Sequence, residues 1–182
     1  MVVDKPLQAL SYDRANPHTA HELQARYLAE VLRYVSTFVR PVADAEDVVM
    51  EVFQAAFLGM HKLKRKDDPR VWLLGIARRK VADTLRLRYR RAEMPLSSAD
   101  ELAHGQSDFE RKTLVHSLLN QLPQDQREAL VLKYANGLST REVAAVLNRS
   151  EAATNSLLQR ARDTFYAKGA PLFLEDTEVN HV

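Results

Sequence analysis

The 182-residue chain is predicted to be all-α: two small helical bundles joined by a linker, the C-terminal one containing a helix-turn-helix. Three observations predict this. Five glycines and seven prolines leave long uninterrupted stretches, which suit helices better than strands and turns. Helix-start signals recur, with a Ser or Thr followed three residues later by a Glu whose side chain can return the backbone hydrogen bond. Apolar residues come back every three or four positions, and no segment shows the strict alternation of a half-buried strand.

Residues 1–19 read as an N-terminal extension. Asp4 and the lack of a continuous apolar core argue against a signal peptide, and no apolar run approaches the roughly 18 residues that span a bilayer, so the expected compartment is the cytoplasm with no membrane insertion. The N-terminal domain is placed at 20–91. Thr19 and Glu22 form a capping box for a first helix from about Ala20 to Phe38, with Leu23, Tyr27, Val31, Tyr34, Val35 and Phe38 on its apolar face. Asp44 opens a second helix that runs from about Ala45 to Met60, with Val48, Val49, Val52, Phe53, Ala56 and Phe57 apolar. Its exterior, read as Glu46, Asp47, Val48, Glu51 and Gln54, is either a solvated face or a protein-docking surface.

A loop with four basic residues follows, Lys62, Lys64, Arg65 and Lys66. It is either a wall for single-stranded nucleic acid or a solvated loop. Asp68-Pro69 supplies a cap and a proline at the first helical position for a third helix reaching about Arg91. Leu74, Ala77, Val81 and Leu85 form its apolar stripe, and Arg79, Asp83, Arg86 and Arg90 lie opposite. Arg suits such a face because it pairs with phosphate and stacks on unpaired bases. Trp72, at the helix start, reads as a core anchor in preference to a base-stacking residue. From Arg78 to Arg91 seven basic residues face one acid, Asp83; such a block is a solvated face or a nucleic-acid surface.

The sign then changes. Between Ala92 and Glu110 there are five acids and no Lys or Arg, and turn formers break the periodicity, so 92–107 reads as an acidic linker. The C-terminal domain is placed at 108–168. Ser107 and Glu110 cap a helix from about Asp108 to Gln121; another runs from Gln124 to Ala135 and stops at Gly137. Ser139 and Glu142 box the start of a short helix, Thr140 to Leu147, and Ser150 caps a longer one from Glu151 to about Ala167. Residues 169–182 read as an acidic tail.

In the last two helices Val143, Val146 and Leu147 face Thr154, Leu158, Ala161 and Phe165, which is helix-turn-helix spacing. The outer face of the second carries Glu151, Ala152, Asn155, Ser156, Gln159, Arg160 and Arg162. Asn and Gln match adenine, Arg matches guanine, and small Ala permits close approach. An ordinary helical hairpin with a polar outside would give the same pattern.

Catalytic classes find no support. The chain has no cysteine, hence no disulfide or thiolate site; its six histidines are scattered and read as surface groups; there is no phosphate-cradling glycine loop and no His-Glu-x-x-His arrangement. Neither a metal nor another cofactor is expected.

Asp44-Ala-Glu-Asp-Val-Val-Met-Glu-Val-Phe and the stretch from Asp68 to Arg91 together resemble the N-terminal domain of extracytoplasmic-function (ECF) sigma factors. Leu122-Pro, Arg127, Leu130, Leu132-Lys-Tyr, Gly137-Leu-Ser, Glu142-Val-Ala, Leu147 and Arg160-Ala-Arg resemble their C-terminal promoter-binding domain. The resemblance spans about 20–91 and 108–167, in order. It implies a non-enzymatic subunit that directs core RNA polymerase to promoters and helps to melt them. The implied partners are the polymerase beta-prime clamp and beta flap, promoter DNA and an anti-sigma factor. By position it assigns Asp47, Val48, Glu51 and Gln54 to the clamp. To the melted −10 element it assigns Lys62, Lys64, Arg65, Lys66, Arg78, Arg79, Asp83, Arg86 and Arg90. To the −35 element it assigns Arg141, Ser150, Asn155, Ser156, Gln159, Arg160 and Arg162. The chain departs from the family pattern at three places: Arg79 where Asn is usual, Asn148 for the usual Gly, and Thr154-Asn-Ser-Leu157 for a more basic Val-Lys-Ser-Arg. The residues alone also fit a dimeric helix-turn-helix regulator that binds DNA without polymerase, or a helical protein-binding adaptor.

Overall fold

The computed structural model describes residues 20–63, 68–90 and 106–178, with side chains for 21–61, 63, 68–90 and 113–169. The described residues form α1 (Ala20–Phe38), α2 (Val42–Gly59), a 3₁₀ turn (Met60–Lys62), α3 (Pro69–Arg90), α4 (Gln106–Asn120), α5 (Gln124–Leu130), a π turn (Val131–Ala135), α6 (Thr140–Leu147) and α7 (Glu151–Glu178). The all-α prediction holds. Thr19, the Ser107/Glu110 side chains and residues 92–105 lie outside the described residues.

The N-terminal half packs α1, α2 and α3 on one another around Val31, Tyr34, Val35, Val52, Leu73, Leu74, Ala77 and Val81, all buried. Trp72 packs partly buried against this core, and a Cβ on Gly59 would stand 3.5 Å from its ring, which fits the anchor reading. The C-terminal half closes α5, α6 and α7 around Leu118, Leu132, Leu138, Val143, Leu157 and Ala161.

α2 differs from expectation in two ways. It begins at Val42, directly after the extended Pro41 (φ −67°, ψ −179°), and Asp44 falls inside its first turn. Its inner stripe is Ala45, Val48, Val49, Val52 and Ala56, so Val48 is 4% exposed and belongs to the core. Phe57 lies one step past that stripe and turns outward, as Met50 and Leu58 do. α7 also continues to Glu178, beyond the expected end near Ala167. A proline inside a helix costs about 3 kcal/mol, yet Ala170, Leu172 and Leu174 around Pro171 are good helix formers.

The two halves are not held apart. α6 lies against α3, and the π turn lies against α1, so that one continuous apolar cluster runs through both.

Candidate nucleic-acid interface

α3 is started by Asp68, whose carboxylate accepts the Arg70 N–H at 2.8 Å, with Pro69 at the first helical position as read from the sequence. Arg79, Asp83, Arg86 and Arg90 are all exposed. Arg86 and Asp83 stand 3.5 Å apart with both side chains more than half exposed, a pair too solvated to hold either in place. Leu87 and Tyr89 add exposed apolar surface at this end; no assignment from the sequence includes Tyr89, although an aromatic among arginines is a stacking signal.

The other basic residues of α3 are bound within the protein. Lys80 donates to Glu51 of α2 at 3.0 Å. Arg88 donates to the Asp44 carboxylate and, at 2.6 Å, to the Arg40 carbonyl. Arg78 stands one helical step from Arg79 and faces the C-terminal half, where its Nε donates to Glu128 at 2.8 Å. Arg78 is therefore separated from the outer stripe. Lys64, Arg65 and Lys66 lie outside the described residues, as does the Lys62 side chain.

On α2, Asp47, Glu51 and Gln54 are exposed in one stripe with Met50 and Leu58. The sequence reading placed Val48 there; its burial removes it, and Met50, 63% exposed, is the apolar member of that face.

The helix-turn-helix is built by its caps. The Ser139 hydroxyl accepts the Glu142 N–H, and the Ser139 N–H donates to the Glu142 carboxylate at 2.6 Å. These hydrogen bonds hold the Glu142 carboxyl below its usual range. Asn148 adopts φ +54°, the left-handed stop that Asn tolerates. Ser150 then accepts the Ala153 N–H at 3.2 Å and starts α7. Arg141, Ser150, Asn155, Ser156, Gln159 and Arg160 are exposed, while Thr154, Leu157, Leu158 and Ala161 are buried. Leu157 thus trades a basic side chain for a place in the core. Arg162 is half-buried on the flank: it donates to Gln159 and, at 3.4 Å, to the Tyr134 hydroxyl, at the edge of an apolar groove lined by Val115, Leu119, Tyr134, Phe165 and Tyr166.

Between the halves lies a polar cluster that no local pattern announces. Arg70 binds Glu30 at 2.5 Å and also donates to the Asn136 carbonyl. The buried Asn136 side chain donates to the Glu30 carbonyl at 3.1 Å, and Arg33 donates to the Ala135 carbonyl at 2.8 Å. Arg127 sits over the Phe38 ring, 4.6 Å from its centre. Tyr34 is fully buried beside Glu128; burial, followed by that carboxylate, pushes its hydroxyl well up. His116, expected at the surface, is half-buried near Arg40 and Arg127, and burial, followed by those two charges, holds its pKa down. Among the described residues no helix is long and apolar enough to cross a membrane, and no cluster of His, Asp and Glu could hold a metal ion.

Residues 23–91 match the Sigma-70 region 2 family, and residues 112–165 match Sigma-70 region 4. The chain is 32% identical over 168 residues to the ECF RNA polymerase sigma factor SigC of Mycobacterium tuberculosis, covering 90% of each protein. To ECF sigma factor SigM of Bacillus subtilis it is 27% identical over 161 residues, covering 82% of this chain and 94% of SigM. The structure resembles that of CnrH solved with the cytosolic domain of CnrY, with a TM-score of 0.64 and 30% identity over 81% of this chain and 85% of the other. The fold is also that of sigma factor RpoE of Bartonella quintana, solved with the anti-sigma factor NepR, with a TM-score of 0.71 and 24% identity over 81% and 94%.

Proposed function

The chain belongs to the extracytoplasmic-function group of RNA polymerase sigma factors, and we propose that it engages core polymerase through α2, the melted −10 strand through α3 and the −35 duplex through α7. It acts in the cytoplasm and catalyses no reaction itself. The observation that carries this reading is the pairing of two differently built surfaces in one chain. α3 shows Arg79, Arg86 and Arg90 on one exposed face, and α7 shows Asn155, Ser156, Gln159 and Arg160 beyond a capped turn. Guanidinium groups with a nearby exposed Tyr89 suit an unpaired strand, whose phosphates and bases both need partners. Amide and guanidinium groups on a helix that leaves a tight turn suit base edges in a major groove.

On α2 the polymerase face is Asp47, Met50, Glu51 and Gln54, acids with apolar neighbours that would repel DNA. The loop lysines and arginine at 62–66, together with Arg78, complete the proposed −10 site, and Arg141, Ser150 and Arg162 flank the −35 helix. The apolar groove beside Arg162 is the surface proposed for the beta flap. CnrH and RpoE were each solved with a protein partner, and an anti-sigma factor is proposed to restrain this chain too.

Run-off transcription with core polymerase and a pool of random promoter sequences tests the reading. Transcripts that need both core and this chain, with a shared upstream consensus, are expected. Tight duplex binding without polymerase would favour a conventional helix-turn-helix regulator.

A further inference from the structure

The outer face of α7 runs through Ala152, Asn155, Ser156, Gln159 and Arg160, all exposed. Two of its polar groups are turned back on the helix itself. The Ser156 hydroxyl donates to the Ala152 carbonyl at 3.2 Å, and Arg160 Nε donates to the Ser156 carbonyl at 3.4 Å. Gln159 is held differently, by both ends of its amide. The amide nitrogen donates to the Asp163 carboxylate at 3.0 Å, and the amide oxygen accepts from the Arg162 guanidinium. Arg162 is tied in turn to the Tyr134 hydroxyl at 3.4 Å, outside α7.

A glutamine amide has two orientations that differ in which end carries the oxygen. The pair around Gln159 tells them apart. A guanidinium only donates and an ionised carboxylate only accepts, so Arg162 must meet the oxygen and Asp163 the nitrogen. Turning the amide over would break both bonds and set donor against donor at one end and acceptor against acceptor at the other. Each bond is weak at an exposed site, but both favour the same orientation, and a bias is all that orientation needs. What remains is one amide N–H and one lone pair on the oxygen. With that pair glutamine reads adenine in the major groove, accepting from N6 and donating to N7. Ala152 and Ser156, on the same face, are small enough to let base edges approach.

We propose that Arg162 and Asp163 are positioning residues that set the Gln159 amide to read one adenine of the −35 duplex. Neither needs to touch DNA. The adenine rests on the reading of α7 as the −35 helix; the hold on the amide does not.

Two measurements on the full-length chain test these parts separately. In nuclear magnetic resonance spectra of the free chain, the Gln159 side-chain amide is assigned by its loss in Gln159→Ala. One of its protons should be shifted downfield by the Asp163 carboxylate, a shift that Asp163→Asn removes and Asp163→Glu keeps. A shift absent from the parent, or unchanged in Asp163→Asn, overturns the hold on the amide.

The second measurement uses core polymerase with this chain on templates randomised across the −35 region, the transcripts being sequenced for base preference. One position should favour adenine by about tenfold, and Gln159→Ala should flatten that position alone. Arg162→Gln and Asp163→Asn introduce side chains that both donate and accept, and should lower the preference there to about threefold without moving the other positions. Arg162→Lys and Asp163→Glu keep a pure donor and a pure acceptor, and should retain it. A role in folding or net charge alone would scale all templates together. That result, or a preference unmoved by Arg162→Gln and Asp163→Asn, overturns the positioning role. If Gln159→Ala flattens nothing while other −35 positions stay selective, reading by Gln159 is overturned and the −35 helix stands. If the parent shows no preference anywhere in the region, the −35 reading fails, and the adenine with it, while the resonance result stands.

Discussion

α3 and α7 both bring polar and basic side chains to the surface, and they do so in opposite ways. On α3, Arg70, Lys80, Arg78 and Arg88 are each tied to a carboxylate, those of Glu30, Glu51, Glu128 and Asp44, and only Arg79, Arg86 and Arg90 lie on the open stripe. On α7 the outward face carries little charge, and its placement comes from a capping box, a left-handed Asn148 and the Ser150 cap. Positive charge on α3 is thus as much internal glue as recognition surface, and a count of basic residues overstates the DNA-facing part. On α7 geometry does the selecting, and charge is secondary.

The largest effect that would sharpen this contrast comes from the cores beneath the two helices. Leu132→Ala opens a cavity under the C-terminal half and should cost about 2–5 kcal/mol. Trp72, the one tryptophan, lies in the N-terminal half, so its fluorescence reports that half alone while circular dichroism reports both. In a urea titration, Leu132→Ala should lose helicity at lower denaturant than it changes Trp72 emission. Coincident transitions would mean that the two halves unfold as one unit.

Next in size is the outer stripe of α3. Replacing Arg79, Arg86 and Arg90 by Ala should lower promoter opening with core polymerase and reduce the salt slope of strand binding by about 2, at roughly 0.7 for each strand phosphate no longer neutralised. Lys80→Ala, which breaks an exposed pair with Glu51, should leave that slope nearly unchanged. An equal reduction from both would erase the distinction between open and committed cations.

The same contrast explains what could be read in advance. Caps are local: Asp68-Pro69, Ser139 with Glu142, Asn148 and Ser150 act within four residues, and all four appear as the sequence predicts. The cross-half bonds join residues 50 to 106 positions apart, and no periodicity encodes them, so the closed packing and the engagement of Arg70 and Arg78 were not legible. Val48 failed for a different reason. The sequence reading counts Val48 both among the apolar residues of α2 and on its exterior, and the stripe from Ala45 to Ala56 is wide enough to bury it together with Val49. Arg162 shows the same limit on α7, since a flank residue reads like an outer one until its neighbour Tyr134 is known.

The smaller predictions probe the caps. Ser139→Ala should cost the C-terminal half about 1 kcal/mol, seen in the helicity transition and not in Trp72 emission. Glu142 adds a pH signature to the same site. Its carboxyl lies below the ordinary value of 4.5 in the folded chain, because Ser139 hydrogen-bonds the ionised form. A depressed carboxyl pKa contributes stability that is fully present above the unfolded value and is lost as pH falls through the folded one. The stability gap between the parent and Glu142→Gln should therefore hold steady from neutral pH down to about 5.5 and close below about 4.5. A gap for Glu142→Gln that stays constant to the acid limit would mean that the box is held by shape and not by the ionised carboxylate, and the account of α7 as a helix aimed by its caps would lose its electrostatic half.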